Sequence, residues 1–292
     1  MGDHHHHNAA GNIKVAFFLN LTFTIVEIFG GLMTNSVAIL SDALHDLGDS
    51  LGLGLAWFLQ NYSQKKRDKR YSYGYARFSL LSAFVNGVVL IMGSIFILLE
   101  AIPRLWQPVQ PDTGGMIVLA ILGVLFNGAA VLKLKGGHTQ NEKMVTWHLL
   151  EDVMGWIAVL IGAIVMRYFD VPILDALISV AFTLFILYNV ARNVLKTARI
   201  FLQAQPDHVD IEAINQGIEN IQMVKSAHDF HLWSMDGEQV VLTVHVVVDD
   251  DCSKEDIKKI KQDIRNLGHT NKIDHITIEI EFESEHCELE DC

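Results

Sequence analysis

The chain has 292 residues, of which 50% are hydrophobic and 19% are charged, and its formal net charge is −12 at pH 7. The charge is uneven: residues 206–292 hold 7 Lys or Arg and 21 Asp or Glu, a net charge of −14, which leaves +2 for the remainder. The acidic segment argues against a nucleic-acid-binding protein and favours attraction of cations. The long apolar runs of the remainder are typical of a membrane protein.

The chain begins with a polar segment, residues 1–12, that contains four consecutive histidines, His4 to His7. Three interpretations are open: a native arm that collects metal, a shortened purification tag, or a tail without a function. We favour the native arm because tags usually carry more histidines.

Six apolar segments follow, and each exceeds the length of about 20 residues that a helix needs to cross the hydrocarbon core. They lie near residues 13–33, 36–60, 76–102, 114–134, 144–168 and 172–200. Lys and Arg are concentrated in the connections on one side, above all in residues 64–77, whereas the opposite side has only Arg104 and Arg167. The positive-inside rule therefore predicts six transmembrane helices with both termini in the cytoplasm. Pro103, Pro108 and Pro111 predict a break after the third helix.

Two of these segments contain the same short pattern, a His followed four residues later by an Asp. The pairs are His45 with Asp49 and His148 with Asp152. This spacing places both side chains one turn apart on one face of a helix. Ionisable residues inside a membrane are costly and usually face the interior of the bundle. Hydrogen bonding to a neighbouring helix would explain either pair alone, but the repetition predicts one shared tetrahedral site of the type that binds Zn²⁺.

The segment after Pro206 has the pattern of a small α+β domain in the order α-β-β-α-β. Helices are expected near residues 210–220 and 254–266, and strands near 224–233, 239–248 and 273–283. Ser253, followed three residues later by Asp256, predicts the start of the second helix. The three cysteines, Cys252, Cys287 and Cys292, show no disulfide pattern, which suits a reducing cytosol.

Several motifs together resemble the cation diffusion facilitators, most closely their zinc-type branch. They are Thr34 to His45, Tyr73-Gly74-Tyr75-Ala76-Arg77, Asn86-Gly87, and Ala227-His228-Asp229-Phe230-His231-Leu232-Trp233-Ser234. The resemblance runs from about residue 13 to 283. It implies a transmembrane domain over residues 13–203, a cytoplasmic metal-binding and dimerisation domain over 206–283, and an acidic Cys-containing tail over 284–292.

The resemblance implies a transporter, not an enzyme, in the form of a homodimer in a bacterial cytoplasmic membrane. It would export Zn²⁺ from the cytoplasm in exchange for protons by alternating access. The transport site would consist of His45, Asp49, His148 and Asp152. In the cytoplasmic domain, His228 and His245 match positions that bind zinc in relatives, and Glu281 matches a third. Zinc is thus expected as transported ion and as a structural ion in this domain.

The chain departs from the family pattern at two positions, Gly48 and Glu151, and Asp46 is a further carboxylate beside the site. Gly48 stands where Ser or a similar residue is common, and Glu151 stands where a small residue is common. Glu151 has three possible roles: a fifth ligand, a proton carrier, or a group that reaches the other side of its helix. We favour a proton-carrying or structural role, because four ligands already satisfy zinc. The connection between the second and third helices has Asp68 but no His, so we expect a second metal site found there in some relatives to be absent.

Protons and zinc compete for the same ligands, because zinc requires neutral imidazoles and ionised carboxylates. Histidine, with an ordinary pKa of about 6.5, titrates within the range of a cellular proton gradient. His45 and His148 are therefore expected to carry protons, with Glu151 as a weaker candidate. Cys287 and Cys292 are candidate ligands in the tail, although a solvated acidic tail explains that segment equally well.

Zinc export has three alternatives among proteins of other classes or cargoes. An intramembrane zinc protease would carry His-Glu-x-x-His, which does not occur in the chain. A transporter of Mn²⁺, Fe²⁺, Co²⁺, Ni²⁺ or Cd²⁺ remains open, with Glu151 hardening the site. A membrane metal sensor that transports nothing also remains open.

Overall fold

In the described part of the chain, the residues up to 201 form six helices, α1 to α6, of which α3 to α6 are long and apolar enough to cross a membrane. The computed structural model describes Phe18, residues 21–134 and residues 140–285, without the side chains of residues 53, 56, 57, 60, 61, 133, 134, 140–145 and 148. The helices are α1 (Leu21–Thr34), α2 (Val37–Ser63), α3 (Arg77–Trp106), α4 (Thr113–Leu134), α5 (Gln140–Phe169) and α6 (Ile173–Phe201). Their bounds agree with the six predicted spans to within a few residues over the described part of the chain.

The outer surfaces of these helices suit a lipid environment. In α3 to α6, the most apolar 18-residue windows have mean hydropathies of 2.0–2.3, yet only 28–44% of each window is buried. Large side chains such as Phe96, Leu125 and Met154 are more than half exposed. Exposed apolar residues in such continuous helices are explained by contact with hydrocarbon.

The predicted break after the third helix is confirmed, since α3 ends at Trp106 and Pro108 and Pro111 lie in the connection to α4, but Pro103 itself lies inside α3. The amide nitrogen of Gln107 donates to the carbonyl oxygen of Pro103 at 3.0 Å, so the last turn still closes. Proline removes one backbone donor, and a long helix whose other hydrogen bonds persist tolerates that loss near its end.

The start of α2 is fixed by a buried carboxylate on α6. The Asp175 side chain accepts hydrogen bonds from Ser36 Oγ at 2.6 Å, from the Val37 amide at 2.8 Å and from the Ala38 amide at 3.3 Å. The first amides of a helix have no partner within the helix, so Asp175 supplies an acceptor from a neighbouring element. This contact anchors the helix that carries His45 and Asp49.

Four of the six helices share one buried apolar cluster. Phe23 of α1, Ile39 of α2, Met116 of α4 and Trp156 of α5 are each at most 3% exposed. The ring centroids of Phe23 and Trp156 lie 5.6 Å apart in an edge-on arrangement. The cluster therefore holds the predicted site segments of α2 and α5 in a single bundle with α1 and α4.

The C-terminal domain is a three-stranded sheet with two helices, as predicted. Its elements are α7 (Ile211–Glu219), β1 (Val224–Ser234), β2 (Val240–Val248), α8 (Lys254–Thr270) and β3 (His275–Phe282). The strand order is β1-β2-β3, with β1 antiparallel and β3 parallel to β2. Ser253 and Asp256 form a capping box at the start of α8, which confirms that prediction.

The core of this domain lies between the sheet and the helices. Ile214 and Ile218 of α7, Ile264 of α8 and Leu242 of β2 are each at most 1% exposed. Cys252 packs against this core. Desolvation by its surroundings, with smaller contributions from Asp256 and Asp249, raises the pKa of its thiol, which disfavours the thiolate that binds metals.

The chain divides into two compact units. One contains the residues up to 58 together with 82–194, and the other contains residues 59–81 together with 195 onwards. The connection between α2 and α3 therefore belongs to the same unit as the C-terminal domain.

Gly48 permits close approach of α2 and α3. A Cβ atom at this position would lie 2.1 Å from Leu90 Cδ2 and 2.8 Å from Leu90 Cγ, far inside van der Waals contact. Small residues are the usual means by which membrane helices approach closely. The Leu90 side chain thus accounts for the glycine where a larger residue was expected.

We expect Gly48→Ala to lower the free energy of unfolding by about 1–3 kcal/mol, because Leu90 must move to admit the new methyl group. Thermal unfolding of the purified protein in detergent measures this effect. Gly54→Ala is the matched control, since a Cβ atom there would meet no described atom within 4 Å. The same substitution in a Leu90→Ala background should cost much less, and an equal cost in both backgrounds would contradict the proposed clash.

Candidate metal centres

The first His and Asp pair lies on α2 with the geometry that the spacing predicts. His45 Nε2 is 3.5 Å from Asp49 Oδ2, and the two side chains are 21% and 22% exposed. His45 also lines a small cleft with Ser41 and Leu44 of α2, Leu90 of α3 and Thr183 of α6. Both side chains are therefore partly accessible, as the entry and exit of an ion would require.

The second pair lies on α5, where the structure describes the Asp but not the His side chain. Asp152 is 4% exposed and lies within electrostatic range of Asp46 on α2. The His148 side chain is outside the described residues. Glu151 is exposed on the outer surface of α5, on a different side from Asp152. The described ligands of the predicted site are thus His45, Asp49 and Asp152.

Further carboxylates extend from this site along α2. Asp42, Asp46 and Asp49 are spaced by four and three residues, so they share one face of the helix. Asp42 is 4% exposed and Asp46 is fully buried. Asp46 interacts electrostatically with Asp42, Asp49 and Asp152. Carboxylates grouped in a low-dielectric bundle are costly to ionise, and a bound cation would offset that cost.

Glu27 on α1 completes this group, and the sequence reasoning did not single it out. Its side chain is fully buried, and it interacts electrostatically with Asp42, Asp46 and Asp152. The indole of Trp156 lies beside its carboxyl group, although within the described residues neither Glu27 oxygen has a hydrogen bond of good geometry. A usable signal was present in the sequence, because Glu27 is the only acidic residue in the first apolar segment.

A second cluster of metal-binding side chains lies in the C-terminal domain. His245 Nδ1 is 2.6 Å from Glu281 Oε1, and His228 Nε2 is 3.5 Å from Glu281 Oε2. Ligand atoms of these three residues all lie within 4.8 Å of one another. The register of the sheet explains the grouping, because His228 pairs with His245, and Val247 pairs with Glu281 on the neighbouring strand. Two imidazoles and a carboxylate are a donor set that suits zinc.

An irregularity in β1 adds Asp229 to this cluster. The pairing of β1 with β2 shifts between His228 and His231, and Asp229 has a positive φ of 49°. Its Oδ2 lies 3.5 Å from His245 Nε2, and its Oδ1 lies 3.0 Å from His231 Nε2. Simple strand alternation does not predict this position, because a bulge changes which side chains share a face.

Glu279, which lies beside the cluster, and the remaining candidates from the sequence differ in their surroundings. Glu279 Oε2 lies 3.5 Å from His245 Nε2, but its side chain is 67% exposed. His4 to His7, Cys287 and Cys292 lie outside the described residues. Asp68 is occupied by hydrogen bonds from Tyr75 Oη at 2.7 Å and from the amides of Arg70 and Tyr71 at 2.7 and 3.0 Å. These bonds give Asp68 a structural role in its own loop.

Partly accessible His and Asp side chains in a bundle of long apolar helices, followed in the chain by a small domain with a second His and carboxylate cluster, are the arrangement expected of a membrane transporter of metal ions. The chain belongs to the cation efflux family. The family model for the cation efflux transmembrane domain matches residues 13–202, and that for the cytoplasmic domain of cation efflux proteins matches residues 206–283. The resemblance stated from the sequence motifs is thereby confirmed.

Curated relatives align over nearly the whole chain. The cadmium, cobalt and zinc/H(+)-K(+) antiporter of Bacillus subtilis is 32% identical over 96% of this chain and 92% of its own length. The metal cation efflux system protein CzcD of Cupriavidus metallidurans is 33% identical over 99% and 92%. The zinc transporter ZitB of Pectobacterium atrosepticum is 32% identical over 98% and 92%. These relatives place the chain among transporters of zinc and related metals, a class without enzymatic activity.

Proposed function

We propose that this protein exports Zn²⁺ from the cytoplasm in exchange for protons. The single observation that carries the proposal is the arrangement of His45 and Asp49 one turn apart on α2, in a bundle where Asp152 is buried on α5. His148 would be the fourth ligand. Three relatives whose names include zinc transport or metal efflux support the choice of cargo.

Competition at this site couples the two ions. Zinc binds when the imidazoles of His45 and His148 are neutral, so protonation of either imidazole expels the metal. Alternating access then lets zinc load from one side of the membrane and protons load from the other. Glu151 remains a weaker candidate for proton transfer, and its exposed position separates it from the buried carboxylates.

Glu27 belongs to the transport machinery in this account. A fully buried carboxylate costs stability, so its presence is explained by an interaction with the cation in transit. Together with Asp42 and Asp46 it extends the negative charge of the site along α2. This charge stabilises zinc while it moves between the ligands and the aqueous phase.

The C-terminal domain binds zinc through His228, His245 and Glu281, with Asp229 as a further oxygen donor. This domain faces the cytoplasm and joins two copies of the chain into a homodimer, so that metal on the domain biases the transporter toward one state. In this arrangement residues 1–12 are a metal-collecting arm, residues 13–203 span a bacterial cytoplasmic membrane, and residues 284–292 form an acidic tail with Cys287 and Cys292. Both termini lie in the cytoplasm.

Transport of a different divalent ion is the nearest alternative. Oxygen ligands favour harder ions, and Asp42, Asp46 and Glu27 surround the site with oxygen. A metal sensor that binds zinc without transporting it is the other alternative, and a flux measurement separates it from a transporter.

We expect Asp49→Ala to abolish zinc flux into sealed vesicles that contain the purified protein, because three ligands hold zinc too weakly to compete with protons. Flux is measured with a zinc indicator, with cadmium, cobalt and manganese as competing ions. Asp207→Ala is the control, because it removes an exposed carboxylate whose charged neighbour is the exposed Arg199, at 3.9 Å. Tight zinc binding without flux in the wild-type protein would favour the sensor.

Glu27→Gln should lower the zinc transport rate at least about tenfold while leaving the protein folded or more stable, since a neutral amide is less costly to bury than a carboxylate. Zinc flux and thermal unfolding are measured on the same preparation. Glu100→Gln, at an exposed side chain on α3 that pairs with Arg104, is the matched control and should transport normally. Increased stability with unchanged flux would show that Glu27 has no part in transport.

His245→Ala should weaken zinc binding in the C-terminal domain at least about tenfold, because it removes one of two imidazole ligands. Equilibrium dialysis of the full-length protein measures the number of zinc ions bound per protomer, which should fall by one. His269→Ala removes an exposed imidazole at the end of α8 and should leave this number unchanged. Equal zinc content in the two variants would contradict the cluster.

A further inference from the structure

The connection between α2 and α3 carries a concentrated positive charge. Over residues 64–76 it contains five basic residues and one acidic residue, a net charge of +4. All five basic side chains are exposed, and within the described part of the chain none forms an ion pair with a carboxylate. They are Lys65, Lys66, Arg67, Lys69 and Arg70.

This connection is a folded loop, and Asp68 organises it. The carboxylate accepts two backbone amides and the Tyr75 hydroxyl, all at 2.7–3.0 Å. The hydrogen bond from Tyr75, followed by those from the Tyr71 and Arg70 amides, lowers the pKa of Asp68, so its ionised form holds the turn. The single acidic side chain of the loop therefore accepts hydrogen bonds from the loop itself. It does not form an ion pair with any of the five neighbouring cations in the described part of the chain.

The two arms of the loop are close together. Gly74 has a positive φ of 82°, and a Cβ atom there would lie 3.2 Å from the Lys65 carbonyl oxygen and 3.3 Å from the Arg67 amide nitrogen. The Lys65 ammonium lies 3.6 Å from the centre of the Tyr62 ring. The basic residues are therefore displayed on a defined backbone that directly continues α2.

An aromatic contact attaches the loop to the C-terminal domain. The Tyr73 ring lies edge-on to Trp233 of β1 at 6.3 Å and to His275 of β3 at 5.8 Å. Ala76 is buried with Met235 and Val241 in a small apolar cluster. These contacts are made by aromatic and apolar groups of the loop. They therefore do not occupy the charged ends of its five basic side chains.

We propose that this loop binds the anionic headgroups of phospholipids in the leaflet where α2 leaves the membrane. Lys65 follows the last residue of α2 by two positions, so the proposal places the five cations beside the headgroups at the end of this helix. Each basic residue near an anionic leaflet strengthens binding by about 1 kcal/mol, or about fivefold, and phosphate is a ligand for which Arg and Lys are well suited. The assignment of this leaflet to the cytoplasm rests on the proposed function.

The folded loop distinguishes this proposal from the general role of positive charge in setting topology. The positive-inside effect needs only the number of Lys and Arg residues near a span. A headgroup site also needs their placement, which Asp68, Gly74 and Tyr75 determine in this loop. Loss of the turn with all five cations retained should therefore weaken lipid binding.

The test is the affinity of purified full-length protein in neutral detergent for phosphatidylglycerol and for phosphatidylcholine, measured by native mass spectrometry. We expect at least about tenfold preference for phosphatidylglycerol, falling as salt is raised. The combined variant Lys66→Gln, Arg67→Gln, Lys69→Gln and Arg70→Gln should lose the preference. The control Lys254→Gln, Lys258→Gln, Lys259→Gln and Arg265→Gln removes the same charge from exposed positions of α8 and should keep it.

Asp68→Ala supplies a sharper comparison, because it makes the loop more positive while removing its organising acceptor. Attraction by charge alone predicts stronger binding of phosphatidylglycerol, whereas the folded site predicts binding several-fold weaker. Wild-type protein that shows no preference between the two lipids would overturn the proposal. An acidic protein segment would then be the favoured partner of the basic loop. Lipid binding in detergent does not depend on transport, so a protein that binds phosphatidylglycerol but moves no zinc would contradict the proposed function alone.

Discussion

The cost of burying charge in an apolar bundle is the constraint on which this structure depends. Asp46 and Glu27 are fully buried, and Asp152 nearly so, in helices whose outer surfaces are apolar. Such groups are tolerated in a membrane only where a partner or a passing ion compensates their charge. The packing around Trp156 and the anchoring of α2 by Asp175 hold the bundle in place. In the proposed function, a cation in transit offsets the cost of burying these carboxylates.

Much of this architecture could be predicted from the sequence because hydrophobicity and helical spacing act locally. The six spans, the relation of His45 to Asp49 and the order of elements in the C-terminal domain follow from residues close in the chain. Glu27 and Asp229 were missed for different reasons. Glu27 was missed because the carboxylates with which it interacts lie on other helices, more than a dozen residues away in the chain. Asp229 was missed because its position depends on a bulge that strand alternation does not reveal.

Close packing between helices was the other feature that local patterns did not predict. Gly48 departs from the family pattern, and its reason is Leu90 on the neighbouring helix. The continuation of α3 through Pro103 likewise depends on the hydrogen bonds of the whole helix. The loop after α2 also depends on contacts that a local pattern does not reveal. Its one acidic side chain, Asp68, orders a basic segment that a charge count alone would interpret as a signal for membrane topology.

Zinc movement driven by a proton gradient tests the central claim most directly. Wild-type protein is reconstituted into sealed vesicles, zinc is set equal on both sides, and a pH difference is imposed across the membrane. The account predicts that zinc accumulates on the more acidic side against its own gradient and that a protonophore abolishes this accumulation. Zinc that stays evenly distributed under the same pH difference, in vesicles whose protein binds zinc, would contradict proton-coupled export.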